Sequence, residues 1–314
     1  KTAYEIRPRD WSSDVCSSDL AELVVYARSG SPVLAWDTLQ TSMLFDGTPS
    51  ELHVIVDAAT GTVLDQWDGI QTAADDKGYF NGTVDLAHTA ISGTLPYRLQ
   101  DASRGGQLTC DMRDRSAGCY FIDDADGKFG SGALTDRQTI AVDAQYGTAV
   151  TWDYYKLVHG RSGIANNGKG ASNRVHYGRK YNNAFWSDSC FCMTYGDGDG
   201  VTFNPFDSLD VAGHEMTHGV TSRTAGLVYS GESGGLNEST SDIFGTVVEY
   251  YANNGGDIGD YLIGEKLYKS GTGALRFMYK PSLDGRSANC WSSTVGGLDV
   301  HYSSGVGNQI GRAH

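Results

Sequence analysis

Five residues constrain this chain more than any others: His214-Glu215-Met216-Thr217-His218. On an α-helix, positions i and i+4 share a face, so both imidazoles of such an HExxH reach one ion and the glutamate sits beside it. With 8 His and 8 Glu in 314 residues, random placement yields the pattern about 0.005 times. A helix with two satisfied surface histidines is the bland alternative, and so small a number weighs against it. The longer motif HExxHxxGxxH needs Gly at 221 and His at 224; Thr221 and Thr224 exclude it. Instead, 20 residues beyond His218, the chain reads Asn237-Glu238-Ser239-Thr240-Ser241-Asp242. Glu238 and Asp242 are again i and i+4, offering one carboxylate to a metal and one to a ligand histidine behind it. Two histidines and a glutamate leave the fourth position of a tetrahedral zinc to water, which marks a catalytic rather than a structural site.

The rest of the composition narrows the class. A net charge of −14 without a basic stripe argues against a nucleic-acid partner. With 39% hydrophobic and 11% aromatic residues the chain has the material for a core. No run of 18 apolar residues occurs, so no helix is expected to span a membrane. The length suits about two domains, and 41 glycines imply many tight loops.

The ends read as foreign. Ile310–His314 (IGRAH), back-translated and reverse-complemented, gives VCSSD, which is Val15–Asp19. One short DNA in opposite orientations at both ends is the signature of adapter sequence, so residues 1–20 and 310–314 are expected to be extraneous. A secretory signal upstream would then have been lost with the true start. Of the five remaining cysteines, Cys110 and Cys119 flank DMRDRSAG and are spaced to close a hairpin, while Cys290 can pair with Cys190, with Cys192 or with a cysteine in a lost tail, and an odd number fixes no connectivity. None shows zinc spacing, which favours an oxidising compartment over buried free thiols.

Residues 21–27, 32–39, 51–57 and 62–67 are β-rich segments separated by turns, with DAATG marking a hairpin, so a small antiparallel sheet is predicted there. Residues 69–78 are a polar linker. Short strands and turns are expected over 79–135, and a helix over 141–159. Strands follow around 174–178 and 184–195, then helices around 209–222 and 236–252.

HEMTH, GLVYSGESGGLNESTSD (226–242), YNNAFW (181–186), TWDYYKLVH (151–159) and DVHYSSG (299–305) together resemble the thermolysin family of zinc neutral metalloendopeptidases, nearest its vibriolysin and pseudolysin branch. The likeness runs from about 79 to 309, and residues 21–74 resemble the inner, PepSY-type part of that family's propeptide. It implies an α+β fold: a small antiparallel-sheet propeptide module, then a catalytic domain over 75–309 with a β-rich lobe and central zinc helices, and a C-terminal helical lobe largely missing.

The resemblance also implies roles. Zinc is held by His214, His218 and Glu238, with Glu215 as general base for the attacking water and Asp242 orienting His214. Tyr229 and His301 donate to the oxyanion, and Asp299 holds His301. Asn183 and the backbone of Ala184 grip the substrate main chain, and Arg276 a substrate carbonyl. Phe203, Phe206, Val211 and Leu275 line a pocket for a bulky apolar residue after the scissile bond. A calcium site is implied at Asp210, Glu249, Asp260, Glu265 and the Leu262 carbonyl. Thr246 stands where some relatives place another acidic ligand, so one ion is expected there rather than two. Asp124 and Asp126 resemble a further calcium loop, against which Lys128 argues.

Two readings of different class follow. The first is a secreted zinc endopeptidase in zymogen form, acting on protein and peptide substrates, with its propeptide as intramolecular inhibitor and chaperone and cleavage within 69–78. The second is an inactive fragment whose propeptide inhibits a related protease in trans. A zinc site that has lost activity is a third, weaker reading, against which the intact Glu215, Tyr229 and His301 stand.

Overall fold

The computed structural model describes residues 19–27, 32–43, 49–68 and 75–312. Residues 1–18 and 313–314, most of the expected foreign ends, lie outside them, as does most of the linker, 69–74. The chain divides into two compact units, 1–73 and 74–314.

In the first unit the alternating segments form β1 (Asp19–Tyr26), β2 (Val33–Met43), β3 (Pro49–Asp57) and β4 (Val63–Asp68). They pair antiparallel in chain order, the meander expected from the four β-rich runs. Leu23 lies opposite Trp36, and Trp36 opposite Val56. The predicted hairpin at DAATG is built by Asp57, whose Oδ1 accepts the backbone N–H of Ala59 and of Thr60, both at 2.8 Å. Gly61 follows at φ 72°, a conformation that costs a glycine little. Ala35 and Ile55 are the buried centre of this sheet.

The second unit is organised around α1 (Arg137–His159). Asp136 caps it by accepting from the Gln138 N–H, and Gly160, left-handed at φ 64°, ends it. The helix therefore starts four residues before the predicted 141, because its first turn is polar and carries no apolar periodicity. Its apolar residues, among them Ile140, Val142, Trp152 and Tyr155, enter the main core.

Beside it lies a six-stranded mixed sheet. Its strands are β5 (Gln107–Arg115), β6 (Tyr120–Phe121), β7 (Ser172–Tyr177), β8 (Ala184–Ser187) and β9 (Cys192–Tyr195), with Gln100–Asp101 pairing off β5. The order is β6-β5-β7-β9-β8; β5–β7 and β7–β9 are parallel, and the outer pairs antiparallel. Cys110–Cys119 closes the β5–β6 hairpin as expected. The other cysteines differ from expectation: Cys190 pairs with Cys192, and Cys290 is a free, exposed thiol. The turn between β8 and β9 brings Cys190 back onto Cys192, which leaves Cys290 no partner among the described residues.

Two helices carry the motif residues: α2 (Leu209–Ser222) and α3 (Gly231–Ala252). Gly213 and Gly245 let them approach. A Cβ on Gly245 would stand 2.5 Å from the Asp210 carbonyl oxygen, and one on Gly213 would stand 3.1 Å from Gly245 Cα. The start of α3, predicted at 236, lies five residues earlier, within GESGG. Those glycines serve packing, not a loop: a Cβ on Gly234 would meet Val300 Cγ1 at 2.4 Å, and one on Gly235 Ser303 Oγ at 2.4 Å. Both contacts are to α4 (Val300–Ser303), which is followed by α5 (Gly305–Arg312).

Gly245→Ala should therefore destabilise the protein by about 1–3 kcal/mol, the cost of forcing extra volume into packed backbone. Gly255→Ala, where a Cβ meets nothing within 4 Å, should be near neutral. Thermal melts of the two variants check this, and equal melting temperatures would refute the close-approach argument.

Candidate metal centre and cleft

Ser208 and Asp210 open α2, with the Asp210 carboxylate in the first turn, where the positive end of the helix dipole lies. From there the helix turns His214, Glu215 and His218 towards a cleft of about 420 Å³. Tyr155 on α1 holds the helix from behind through a 2.8 Å hydrogen bond to Thr217. From α3, Glu238 reaches the same point. His214 Nε2 and His218 Nε2 are 2.9 Å apart, and each faces Glu238, at 3.6 and 3.4 Å.

The hydrogen bonds behind the rings fix their tautomers. His214 Nδ1 faces Asp242 Oδ1 at 2.8 Å. His218 Nδ1 faces Asn237 Oδ1 at 2.7 Å, and the Asn237 amide is oriented by donating to the Leu227 carbonyl at 3.0 Å. Both acceptors demand an Nδ1–H, so each neutral ring presents the lone pair of Nε2. Two lone pairs and a carboxylate then converge on one point, and Glu238 Oε2 is buried without a hydrogen-bond partner. Three donors around a tetrahedral zinc stand about 3.3 Å apart, in the middle of the separations found. The donor set fits a zinc ion, and of the described residues it is one of only two such convergences.

Charges are tuned around this point. Burial works against ionised Glu238, but the His218 hydrogen bond and the charges of His214, His218 and Arg276 hold its carboxyl well below the usual range. Asp242 is likewise buried, yet Arg276 and His214 bring it down to about 2. Glu215 moves the other way: burial raises it, and the histidines only partly oppose this.

Most of the sequence-derived residues meet here. Asn183, Ala184, Phe206, Val211, Tyr229, Leu275, Arg276 and His301 line the cleft with the motif residues. The Tyr229 hydroxyl donates to Glu238 Oε1 through a short hydrogen bond and lies 3.4 Å from His301 Nε2. Asp299 Oδ1 takes His301 Nδ1 at 2.7 Å. Arg276, read as a substrate ligand, makes a bidentate pair with Asp242 at 2.5 and 2.6 Å while also lining the cleft. Phe203 is the exception. It is not among the cleft-lining residues; its ring packs on Tyr268, 4.9 Å between centroids, behind Phe206. Asn237, Ile263 and Trp186 line the cleft unforeseen, and Asn308, equally unforeseen, donates to Asp242 from behind at 2.8 Å. Asn237 was legible as the neighbour of Glu238; Ile263 and Asn308 carry no motif.

The second convergence is Asp210, Glu249 and Glu265. Glu249 Oε1 and Glu265 Oε2 are buried without hydrogen-bond partners, so these oxygens fit a hard cation such as calcium. Asp257, fully buried, joins them electrostatically and was not foreseen. Asp260 instead receives the Leu262 N–H at 2.6 Å, and its own N–H donates to Glu249 at 3.1 Å. Thr246 is turned to Met278 Sδ. In the other acidic loop, Asp124 and Asp126 accept from local backbone N–H groups, and Lys128 pairs with Asp75.

A family model described as the thermolysin metallopeptidase catalytic domain matches residues 73–222, and one described as its alpha-helical domain matches 225–311. The expectation that the helical lobe is largely missing gains no support from the second match. Transglutaminase-activating metalloprotease of Streptomyces mobaraensis is 53% identical over 287 residues, covering 91% of this chain and 37% of that protein. Bacillolysin of Bacillus caldolyticus is 39% identical over 310 residues, covering 91% and 55%. The chain thus spans about half the length of these relatives or less. Among solved structures, the precursor of protealysin, a metalloproteinase from Serratia proteamaculans, matches with a TM-score of 0.52 at 31% identity, covering 65% of this chain and 66% of that one.

The acidic cluster has a signed pH dependence. Burial first, then Asp210 and the neighbouring carboxylates, pushes Glu249 up to about 11, Glu265 to about 9 and Asp257 to about 7. An unfolded chain releases these protons near pH 4. Between those limits the cation-free folded state binds more protons than the unfolded one, so its stability falls as pH rises. Calcium should therefore raise the melting temperature more at pH 8.5 than at pH 5.5, as read by melts with calcium and with chelator. An equal gain at both would argue against a cation at this cluster.

Proposed function

Because the chain belongs to the thermolysin family of metallopeptidases, we propose that it is a secreted, zinc-dependent endopeptidase in zymogen form, cutting before bulky apolar residues. The observation that carries this reading is the pair of imidazole lone pairs 2.9 Å apart, each fixed by an acceptor behind its ring. His214, His218 and Glu238 would hold the ion. When bound, zinc supplies a Lewis acid that polarises the scissile carbonyl and acidifies water.

The remaining steps belong to the chain's own side chains. Glu215, raised by burial, takes the proton of the attacking water and passes it to the departing amine. Tyr229 and His301 stand at the mouth, placed to donate to the oxygen on which charge develops. With Asp299 holding Nδ1–H, His301 offers a second N–H only as an imidazolium. Asn183 and Ala184, at the head of edge strand β8, support a reading in which the substrate backbone lies along that strand. Phe206, Val211, Ile263 and Leu275 give the cleft an apolar wall, which favours a bulky apolar side chain after the cut.

Zymogen form rests on the first unit. Its sheet ends at Asp68 within a compact unit that closes at residue 73, where the catalytic match begins, and the protealysin likeness is to a precursor. We read residues 21–74 as the chain's own inhibitor and chaperone. Two disulfides support an oxidising, extracellular setting, and no helix of the described residues is long and apolar enough to cross a membrane. The cluster at Asp210, Glu249 and Glu265 supports at least one structural calcium.

Glu215→Ala should lower kcat by about 10²–10⁴-fold, the range for losing a general base, while zinc stays bound. Turnover of an internally quenched peptide with Leu after the cleavable bond, and metal content, check this. Undiminished turnover would overturn the role of Glu215. Cleavage indifferent to a zinc chelator would overturn the metallopeptidase reading.

A further inference from the structure

The Cys190–Cys192 pair lies beside the cleft, and no step of the proposed reaction uses it. It closes a ring of three residues at the turn between β8 and β9. The residue between the cysteines, Phe191, sits at φ 53°, a left-handed conformation that a bulky side chain adopts only at a cost. The two sulfurs are unequally placed. Cys190 is exposed, whereas Cys192 is 1% exposed. The Arg174 guanidinium reaches both, 3.6 Å from Cys190 Sγ and 3.5 Å from Cys192 Sγ.

What the ring holds is the edge of the cleft. Phe191 packs edge-on against Trp186, with 5.3 Å between centroids, and Trp186 lines the cleft. Trp186 Nε1 donates to Asp188 at 3.0 Å, and Asp188 is held by Ser222 and Arg223 from the end of α2. Ser187 pairs with Cys192, and Ala184 with Tyr195. The disulfide therefore fixes the turn directly beyond the strand that carries Ala184, Phe185 and Trp186.

We propose that Cys190–Cys192 is a thiol–disulfide exchange site for low-molecular-weight thiols, and that its opening loosens the edge strand of the cleft. The chemistry follows from the placement. A thiolate attacks the exposed Cys190 Sγ, forming a mixed disulfide. The bond to Cys192 breaks, and Cys192 leaves with the electron pair as a thiolate beside the Arg174 charge, which favours its departure. A second thiol then takes the first off Cys190, so the cysteine pair gains two electrons and two thiols become one disulfide. Released from the ring, Phe191 is free to leave its left-handed conformation and with it the Trp186 ring. The effect on peptide binding rests on the cleft assignment above; the exchange itself does not.

The test uses the full zinc-loaded chain with reduced glutathione, followed by acid quench, alkylation and peptide mapping. Glutathione is expected on Cys190 and the alkyl group on Cys192, with Cys110–Cys119 intact and Cys290 alkylated throughout as control. Arg174→Gln should slow the exchange about fivefold, by weakening the leaving group. Binding of an apolar peptide is measured in the Glu215→Ala background, where no turnover is needed. Both the exchanged chain and the Cys190→Ser/Cys192→Ser double variant should show a Kd raised about fivefold, the worth of one aromatic contact. Absence of adduct while Cys290 alkylates, or adduct on Cys192, would overturn the exchange site. Adduct on Cys190 with an unchanged Kd in both forms would overturn its link to the cleft. An inactive wild-type chain would count against the peptidase reading alone, since neither measurement needs catalysis.

Discussion

The imidazoles of His214 and His218 are held so that two lone pairs point at one another across 2.9 Å. Two neutral rings so placed repel each other unless a metal ion or a proton lies between them, and against burial the Glu238 carboxylate pushes His218 up to about 9. Asp242 and Asn237 fix the rings from behind. Asp242 is in turn held by the two-pronged Arg276 and by Asn308. The partners come from α3, the Arg276 segment and α5, so these elements join α2 at the same few atoms. The candidate metal centre is thus a point at which α2, α3, α5 and the Arg276 segment meet.

The same two helices carry both cation clusters. On α2, Asp210 precedes His214 by one turn; on α3, Glu238 and Glu249 lie three turns apart. Each cluster draws donors from both helices, His214 and His218 with Glu238 in one and Asp210 with Glu249 in the other, so each clamps the α2–α3 contact at a different height. Gly245 sits between them, against the Asp210 carbonyl, and sets the separation at which both clamps close. A cation at Asp210, Glu249 and Glu265 would then act on the candidate metal centre mechanically, by fixing the spacing of the helices. Glu249 Oε1 and Glu265 Oε2 have no hydrogen-bond partner among the described residues, so these oxygens are open to such an ion.

The sequence made the motif residues legible because their chemistry depends on spacing along a helix, and spacing is what a sequence displays. His214, His218, Glu238 and Asp242 all fall where i and i+4 arithmetic puts them. The meander was equally readable, since alternation and turn residues are local signals. What escaped was set by tertiary packing. The glycines of GESGG carry no helical periodicity and lie outside the predicted helix, yet they form the contact surface for Val300 and Ser303. Phe203 looked like its neighbour Phe206, but its ring faces Tyr268. The parallel pairing of β5, β7 and β9 leaves no local trace in any one of those strands. The partner of Cys290 stays open in the sequence, which does not reveal that the β8–β9 turn brings Cys190 onto Cys192.

One distinction in the site emerges only when burial and charge are weighed together. Glu215, Glu238 and Asp242 are all buried carboxyls within reach of the same histidines, and burial alone would raise all three. Arg276 and the two imidazoles overcome that for Glu238 and Asp242, which stay ionised far below neutral pH. Glu215 receives the same imidazole charges but no guanidinium, and the nearby Glu238 charge adds to the effect of burial, so its carboxyl moves up. Environments that push neighbouring carboxyls apart assign them different work. Glu238 and Asp242 are fixed anions, suited to holding a metal and a ring. Of the three, Glu215 is the one whose affinity for a proton is raised by burial, and so the one suited to accept a proton and give it back.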